Sequence, residues 1–262
     1  MSNFLLKDRV VLVSGIGPGL GRNTALACAR QGADIVLAAR TASRLEEVAQ
    51  EVEATGQRAL CVQTDISKDE DCANVVARAV EHFGQLDVLV NNAFTMPPFK
   101  DLVDTPLDVI RETFEVNLYA ALRMSREAAP HLEKSVGGSI IMINSSVMRS
   151  TRPAFGAYKM AKHALLALAQ SLACELGPKG IRVNSIAPGF IGEVAADGLA
   201  ALQSHTTGVP AKTIKAQIVE AHMLRQIPEP NEIADCVVFL ASDLSRVVTG
   251  QCLDVNGGEF TH

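Results

Sequence analysis

Residues 10–21 read VVLVSGIGPGLG, four apolar residues and a serine followed by glycines at 15, 17, 19 and 21. A Val/Leu run this short is the signature of a strand buried on both faces. The glycines then let the backbone turn tightly, and from Leu20 the apolar spacing becomes helical through Arg30. The spacing Gly15-xxx-Gly19-x-Gly21 differs from the usual G-x-G-x-x-G, but glycine supplies the same physics. It lets the main chain approach a pyrophosphate at a helix N-terminus, where free amides and the helix dipole favour an anion. Gly15, Gly19, Leu20 and Gly21 are therefore candidate cofactor contacts.

Outward from this turn the same alternation repeats. Strands are expected at 10–14, 35–39, 59–63, 88–91, 139–143 and 182–186, with helices at 20–30, 43–53, 68–83, 107–132 and 157–176. Ser67 and Glu70 read as a capping box for the third helix, and Gly32, Gly56 and Gly84 as helix stops. Because parallel strands need a crossover and a helix is the usual one, the pattern implies an α/β fold with a doubly wound parallel sheet. Residues 192 to about 225 have poor periodicity and read as an irregular substrate lid. The pattern then resumes with a helix at 231–241 and a strand at 252–255.

With 262 residues, a length of about 150 per domain leaves one or two domains open. No linker, repeat or low-complexity stretch divides the chain, so a single domain over 1–262 is expected. Apolar residues at 48% and charged residues at 20% are ordinary globular usage. Aromatics are scarce, with no Trp, two Tyr and nine Phe, so any tyrosine needs an explanation. The net charge of −5 and scattered basic residues argue against nucleic-acid or membrane partners. Residues 1–9 lack an apolar leader core and no apolar run reaches membrane length, so a cytoplasmic location is expected. Six widely spaced cysteines without CxxC or a histidine cluster suggest no metal site and read as small core residues.

Nicotinamide sites that prefer NAD commonly place an acid at the tip of the second strand to accept the ribose hydroxyls. Here Ala39 and Arg40 occupy that tip, and no acid follows until Glu46. A guanidinium without a competing carboxylate suits a 2′-phosphate, so NADP(H) is favoured, with NAD(H) as the other choice.

Tyr158 and Lys162 are four apart on a predicted helix and share its face. Ser145 ends the preceding strand at the edge where open α/β sheets bind ligands. A cation close to a phenol favours the phenolate, so Tyr158 is placed to exchange a proton with a carbonyl or alcohol oxygen that Ser145 also binds.

With these motifs in order, the sequence resembles the short-chain dehydrogenase/reductase family over nearly its whole length. SGIGPGLG (14–21) is similar to the family's TGxxxGxG turn, and NNA (91–93) to its NNAG. VNL around Asn117, the serine and YxxxK pattern, ProGly at 188–189 and VTGQCLDVNGG at 248–258 also match. The resemblance implies a Rossmann-like sheet of about seven strands with helices on both faces, and a catalytic tetrad of Asn117, Ser145, Tyr158 and Lys162. It further implies cofactor contacts at Asp65, Ile66, Asn92, Ala93, Tyr158, Lys162, Pro188, Gly189 and Ile191, and a homotetramer. Asn117 would hold a water in a relay from Lys162, and Ser146 is the runner-up to Ser145. The chain departs from the pattern at Phe94, in place of the NNAG glycine, and at Gly192 and Glu193, where a threonine is usual.

Apolar side chains gather at the loops flanking these motifs: Phe94, Met96, Met148, Phe155 and Phe190 are candidate pocket residues. They point to a small-molecule substrate that is a bulky apolar secondary alcohol or ketone, steroid-like, aryl or alicyclic. A 3-oxoacyl thioester reductase is the alternative; it would need a basic entrance, for which Arg149 and Arg152 are the nearby cations. A non-catalytic NADP-binding regulator is a further alternative, disfavoured by the intact tetrad.

Overall fold

A computed structural model describes residues 4–261, apart from the side chains of Ala195 and Thr206. Residues 1–3 of the segment read as lacking a leader lie outside the described residues. The strands are β1 (Val10–Ser14), β2 (Asp34–Ala39), β3 (Ala59–Gln63), β4 (Val88–Asn91), β5 (Ser139–Ile143), β6 (Arg182–Pro188) and β7 (Cys252–Val255). They form one parallel sheet in the order β3-β2-β1-β4-β5-β6-β7. The order reverses between β1 and β4, where Ser14 pairs in register with Asn91. That switch point opens a crevice at the carboxyl ends of the strands, the place where such sheets bind ligands.

Helices α1 (Leu20–Arg30), α2 (Ala42–Glu53), α3 (Asp69–Phe83), α4 (Leu107–Phe114), α5 (Ala120–Leu132), α6 (Gly156–Leu176), α7 (Gly192–Thr207), α8 (Ala211–Ala221) and α9 (Pro230–Ala241) fill the connections. Successive strand residues point to opposite faces. Val11 and Val13 of β1 pack with Ala25, Leu26, Leu45, Ile233 and Val237, so α1, α2 and α9 cover one face. Val10 and Leu12 pack with Val75, Met124, Ala128, Leu165 and Leu172, so α3, α5 and α6 cover the other. Each such buried Val or Leu contributes about 1.5–3 kcal/mol. The core is aliphatic, and Tyr158 is the only buried Phe or Tyr among the described residues.

Four expectations require correction. The helix expected over 107–132 is interrupted at Glu115–Tyr119 by a π turn, which carries Asn117 inward. The stretch 192–225 is not irregular but holds α7 and α8. These pack through a separate small cluster of Ala196, Ala200, Ile214, Ile218 and Ile227, whose small residues and narrow stripe leave little periodic contrast. Ser67 does not cap α3: its hydroxyl donates to Asp65, and the helix starts at Asp69 with three acids in its first turn. A capping box does form at α9, between Glu229 and Glu232. Cys174 is exposed on α6 rather than part of the core, whereas Cys28 and Cys72 are buried.

Candidate active site

The turn after β1 is built by close backbone approach. Gly15 has φ +94°, and a Cβ there would lie 2.5 Å from the Ala93 Cα. Only glycine fits both constraints. The Asn92 side chain ties the two loops together, donating to the Gly15 carbonyl at 2.6 Å, and a Cβ on Gly21 would collide with that same carbonyl. Beside Gly17 and Gly19, by contrast, a Cβ would meet nothing within 4 Å. Leu20 then opens α1, with no side-chain cap and no acid in the first turn. An open glycine cradle beneath an uncapped helix N-terminus fits the pyrophosphate of a dinucleotide.

At the tip of β2 the Arg40 side chain is exposed, and its carbonyl accepts from Gln63 Nε2 at 2.8 Å. Across β3, Asp65 Oδ1 accepts from the Ser67 amide at 3.1 Å and its hydroxyl at 2.7 Å. Those bonds hold the carboxyl below its ordinary pKa, with smaller help from Lys68 and Arg40. Ile66 beside it is partly buried. Arg40, Asp65 and the Asn92–Ala93 turn thus follow the carboxyl ends of β2, β3 and β4.

The tetrad residues converge at the end of β5. The Ser145 side chain lies close enough to the Tyr158 phenol to oppose the rise of its pKa, and its Oγ accepts from the Val147 amide at 3.2 Å, whereas Ser146 acts in the same way on the Glu259 carboxyl. The Lys162 ammonium donates to the Ile143 carbonyl at 2.9 Å and lies 5.4 Å from the centroid of the Tyr158 ring. Asn117 Nδ2 donates to the Thr95 and Thr113 carbonyls, both at 2.9 Å, while its buried Oδ1 has no protein partner. That leaves an acceptor suited to a water. Burial pushes the Tyr158 phenol above its usual 10, partly offset by Ser145, and pushes Lys162 down to about 7. In the protein alone, desolvation of each charged form dominates, so Tyr158 is held as a proton donor.

The ring of Phe94, 59% exposed, stands 6.5 Å from that of Tyr158, and Phe99 meets Phe155 edge-on at 5.0 Å. Met96 is exposed, Met148 is buried, and Phe190 packs partly on the α7–α8 cluster. Pro188 ends β6 and Gly189 follows; Ile191 caps α7 in extended conformation. Sequence reasoning missed one group here. Glu259, from the tail after β7, is buried beside Gly189 and pairs with Arg152 at 3.1 Å, its side chain 3% exposed. A lone acid after two glycines carries no local signal of such a long-range contact. A cavity of about 580 Å³ lies at the amino ends of the strands, around Asp87. The Asp87 carboxylate is engaged there by Val10, Gln85 and Ser135, in a structural role.

A family model described as enoyl-(acyl carrier protein) reductase matches residues 15–259. The chain belongs to the short-chain dehydrogenase/reductase family, NAD(P)-dependent oxidoreductases acting on alcohols. Among curated relatives it is 36% identical to an L-rhamnose 1-dehydrogenase (NAD(P)+) of a Sphingomonas species, over 98% of each chain. Among solved structures it is similar to carveol dehydrogenase from Mycobacterium avium in complex with NAD, with TM-score 0.91, 29% identity, and coverage of 97% of this chain and 98% of that one. It is also similar to a 7α-hydroxysteroid dehydrogenase bound to NADH and a 7-oxo bile acid, with TM-score 0.87, 30% identity, and coverage of 98% and 96%. No described helix is long and apolar enough to cross a membrane.

Proposed function

We propose that this protein interconverts a bulky, uncharged secondary alcohol and its ketone, with NADP(H) preferred over NAD(H). The observation that carries the reaction is the Ser145–Tyr158 hydroxyl pair at the carboxyl edge of the sheet, with Lys162 buried behind it. The nicotinamide cofactor supplies or accepts the hydride. Gly15, Gly19, Leu20 and Gly21 would hold its pyrophosphate, with Arg40, Asp65 and Ile66 at the adenosine end. Asn92, Ala93, Pro188, Gly189 and Ile191 would flank the nicotinamide end. Tyr158 gives its proton to the ketone oxygen in reduction and takes it from the hydroxyl in oxidation, while Ser145 holds that oxygen. Lys162 would also bind the nicotinamide ribose, and Asn117, whose Oδ1 has no protein partner, would keep a water through which Lys162 is reprotonated.

The NADP preference rests on exposed Arg40, with no acid at the β2 tip to repel a 2′-phosphate. The substrate reading rests on Phe94 beside Tyr158, with Met96, Met148, Phe155 and Phe190 completing the wall and α7–α8 acting as the lid. Apolar concave walls favour lipophilic ligands, and two of the solved neighbours are named for carveol and a hydroxysteroid. A 3-oxoacyl thioester on an acidic carrier fits less well, because Arg149 and Arg152 are already matched by Asp254 and Glu259. The reading includes a cytoplasmic homotetramer, to be checked by light scattering. A panel of alicyclic, aryl and steroid alcohols against sugars and polyols, each run with NADP and NAD, tests the whole. Turnover confined to sugars and polyols would overturn the substrate class.

A further inference from the structure

The loop between the paired serine and tyrosine carries two cations, Arg149 and Arg152, and the C-terminal segment meets each with an acid. Asp254 of β7 lies 3.4 Å from Arg149 and Glu259 lies 3.1 Å from Arg152. The second pair is the more deeply set on its acidic side. Gly257 and Gly258, both at positive φ, let the tail pack directly on the end of α8. A Cβ on Gly258 would lie 2.6 Å from the Met223 Cβ, and one on Gly257 3.2 Å from the His222 ring. This packing delivers the Glu259 carboxylate to Ser146, to the edge of Gly189 and to Arg152.

Arg152 in turn lays its guanidinium over the Phe190 ring, 5.3 Å from its centroid, and stays about one-third exposed. The other titratable neighbour of Glu259 is His222, fully buried, with Nδ1 on the Ile218 carbonyl. Burial raises the Glu259 pKa, and Arg152, His222 and Ser146 oppose that rise. A cation beside the catalytic loop would attract anionic substrates and an anion would repel them; a pair presents neither.

We infer that Glu259 is a specificity-determining residue, which cancels the charge of Arg152 at the substrate mouth and so makes the site select uncharged substrates. The inference rests on the proposed alcohol–ketone reaction and adds to it the reason that the mouth is neutral. Removing the carboxylate while keeping its shape leaves Arg152 free to meet a substrate anion.

The test compares reduction of 4-oxocyclohexanecarboxylate with that of its methyl ester, which differ chiefly in charge. The wild-type protein should favour the ester. Glu259→Gln should raise the acid-to-ester ratio of kcat/KM about tenfold, the scale of one partly exposed charge contact. Arg152→Gln combined with Glu259→Gln should return the ratio to near the wild-type value, since the freed cation is gone. An unchanged ratio in Glu259→Gln, or a raised ratio that persists in the double variant, overturns the inference. Arg152→Gln alone must not raise the ratio, and a rise there overturns it as well. The proposed reaction stands or falls on the alcohol panel; if the wild-type protein reduces neither of these two ketones, the pairing is read instead by calorimetry on the cofactor-loaded protein. Glu259→Gln must then bind 4-oxocyclohexanecarboxylate about tenfold more tightly than wild type; equal binding overturns the inference.

Discussion

Lys162 donates 2.9 Å to the carbonyl of Ile143, the last residue of the strand that leads into Ser145. A fully buried ammonium is thus held by one neutral acceptor, and burial carries its pKa from 10.5 down to about 7. Between pH 7 and 10 the unfolded chain therefore binds more protons than the folded one, and folding stability rises with pH across that window. Lys162→Met removes this contribution. The Tm of the variant minus that of the wild type should be more positive at pH 7 than at pH 9.5, at roughly 2–4 °C per kcal/mol. Differential scanning fluorimetry at the two pH values checks it; a difference independent of pH would show that Lys162 is not desolvated.

The approach of Ser145 to the Tyr158 phenol, and of Ser146 to Glu259, separates two adjacent serines. Tyr158→Phe should lower kcat by about 10²–10⁴ while leaving cofactor affinity nearly unchanged, because only the proton exchange is lost. Ser145→Ala should lower it comparably, and Ser146→Ala far less. Steady-state kinetics with cofactor titration by fluorescence distinguish these outcomes, and equal losses in the two serine variants would reject the assignment.

The glycine turn makes opposite demands at neighbouring positions. Gly15→Ala adds a methyl at positive φ, 2.5 Å from the Ala93 backbone, and should destabilise the fold by about 2 kcal/mol or more. Gly19→Ala points into open space and should leave Tm nearly unchanged while weakening dinucleotide binding about tenfold. Thermal melts with and without cofactor read both effects.

Arg40 stands exposed where an acid would select NAD. Arg40→Ala should reduce kcat/KM with NADP about tenfold or more relative to NAD, the worth of one charge-assisted contact to phosphate. A ratio of the two cofactors that does not move would remove Arg40 from recognition.

Much of this architecture is written locally. The ranges read for five strands (10–14, 59–63, 88–91, 139–143 and 252–255) agree with the structure; those at 10–14, 88–91 and 139–143 are buried at every residue, whereas β3 at the sheet edge alternates buried and partly exposed positions. The Tyr158–Lys162 spacing likewise needs only helical geometry. What escaped the sequence depends on partners distant along the chain. Helices α7 and α8 bury little beyond Ala196, Ala200, Ile214 and Ile218, so their periodicity is faint. Ser67 has the spacing of a cap but is occupied by Asp65. Glu259 acquires its setting only when the tail crosses the sheet edge to Arg152, Ser146 and Gly189.

The π turn at Glu115–Tyr119 accommodates one residue more than α-helical winding would, and so sets the rotational phase of everything that follows it. Deleting one of these five residues would let the helix wind at regular α pitch with α5 close to its present phase, so Ala121, Met124, Ala128 and Leu132 would keep the sheet face that they fill. Asn117, which the wide turn carries inward, would lose its aim. A single deletion within 115–119 is therefore expected to spare the fold and remove activity, whereas an insertion, with no second wide turn to absorb it, should rotate α5 by about 100° and lower Tm, a distinction that a scan of both kinds would reveal directly.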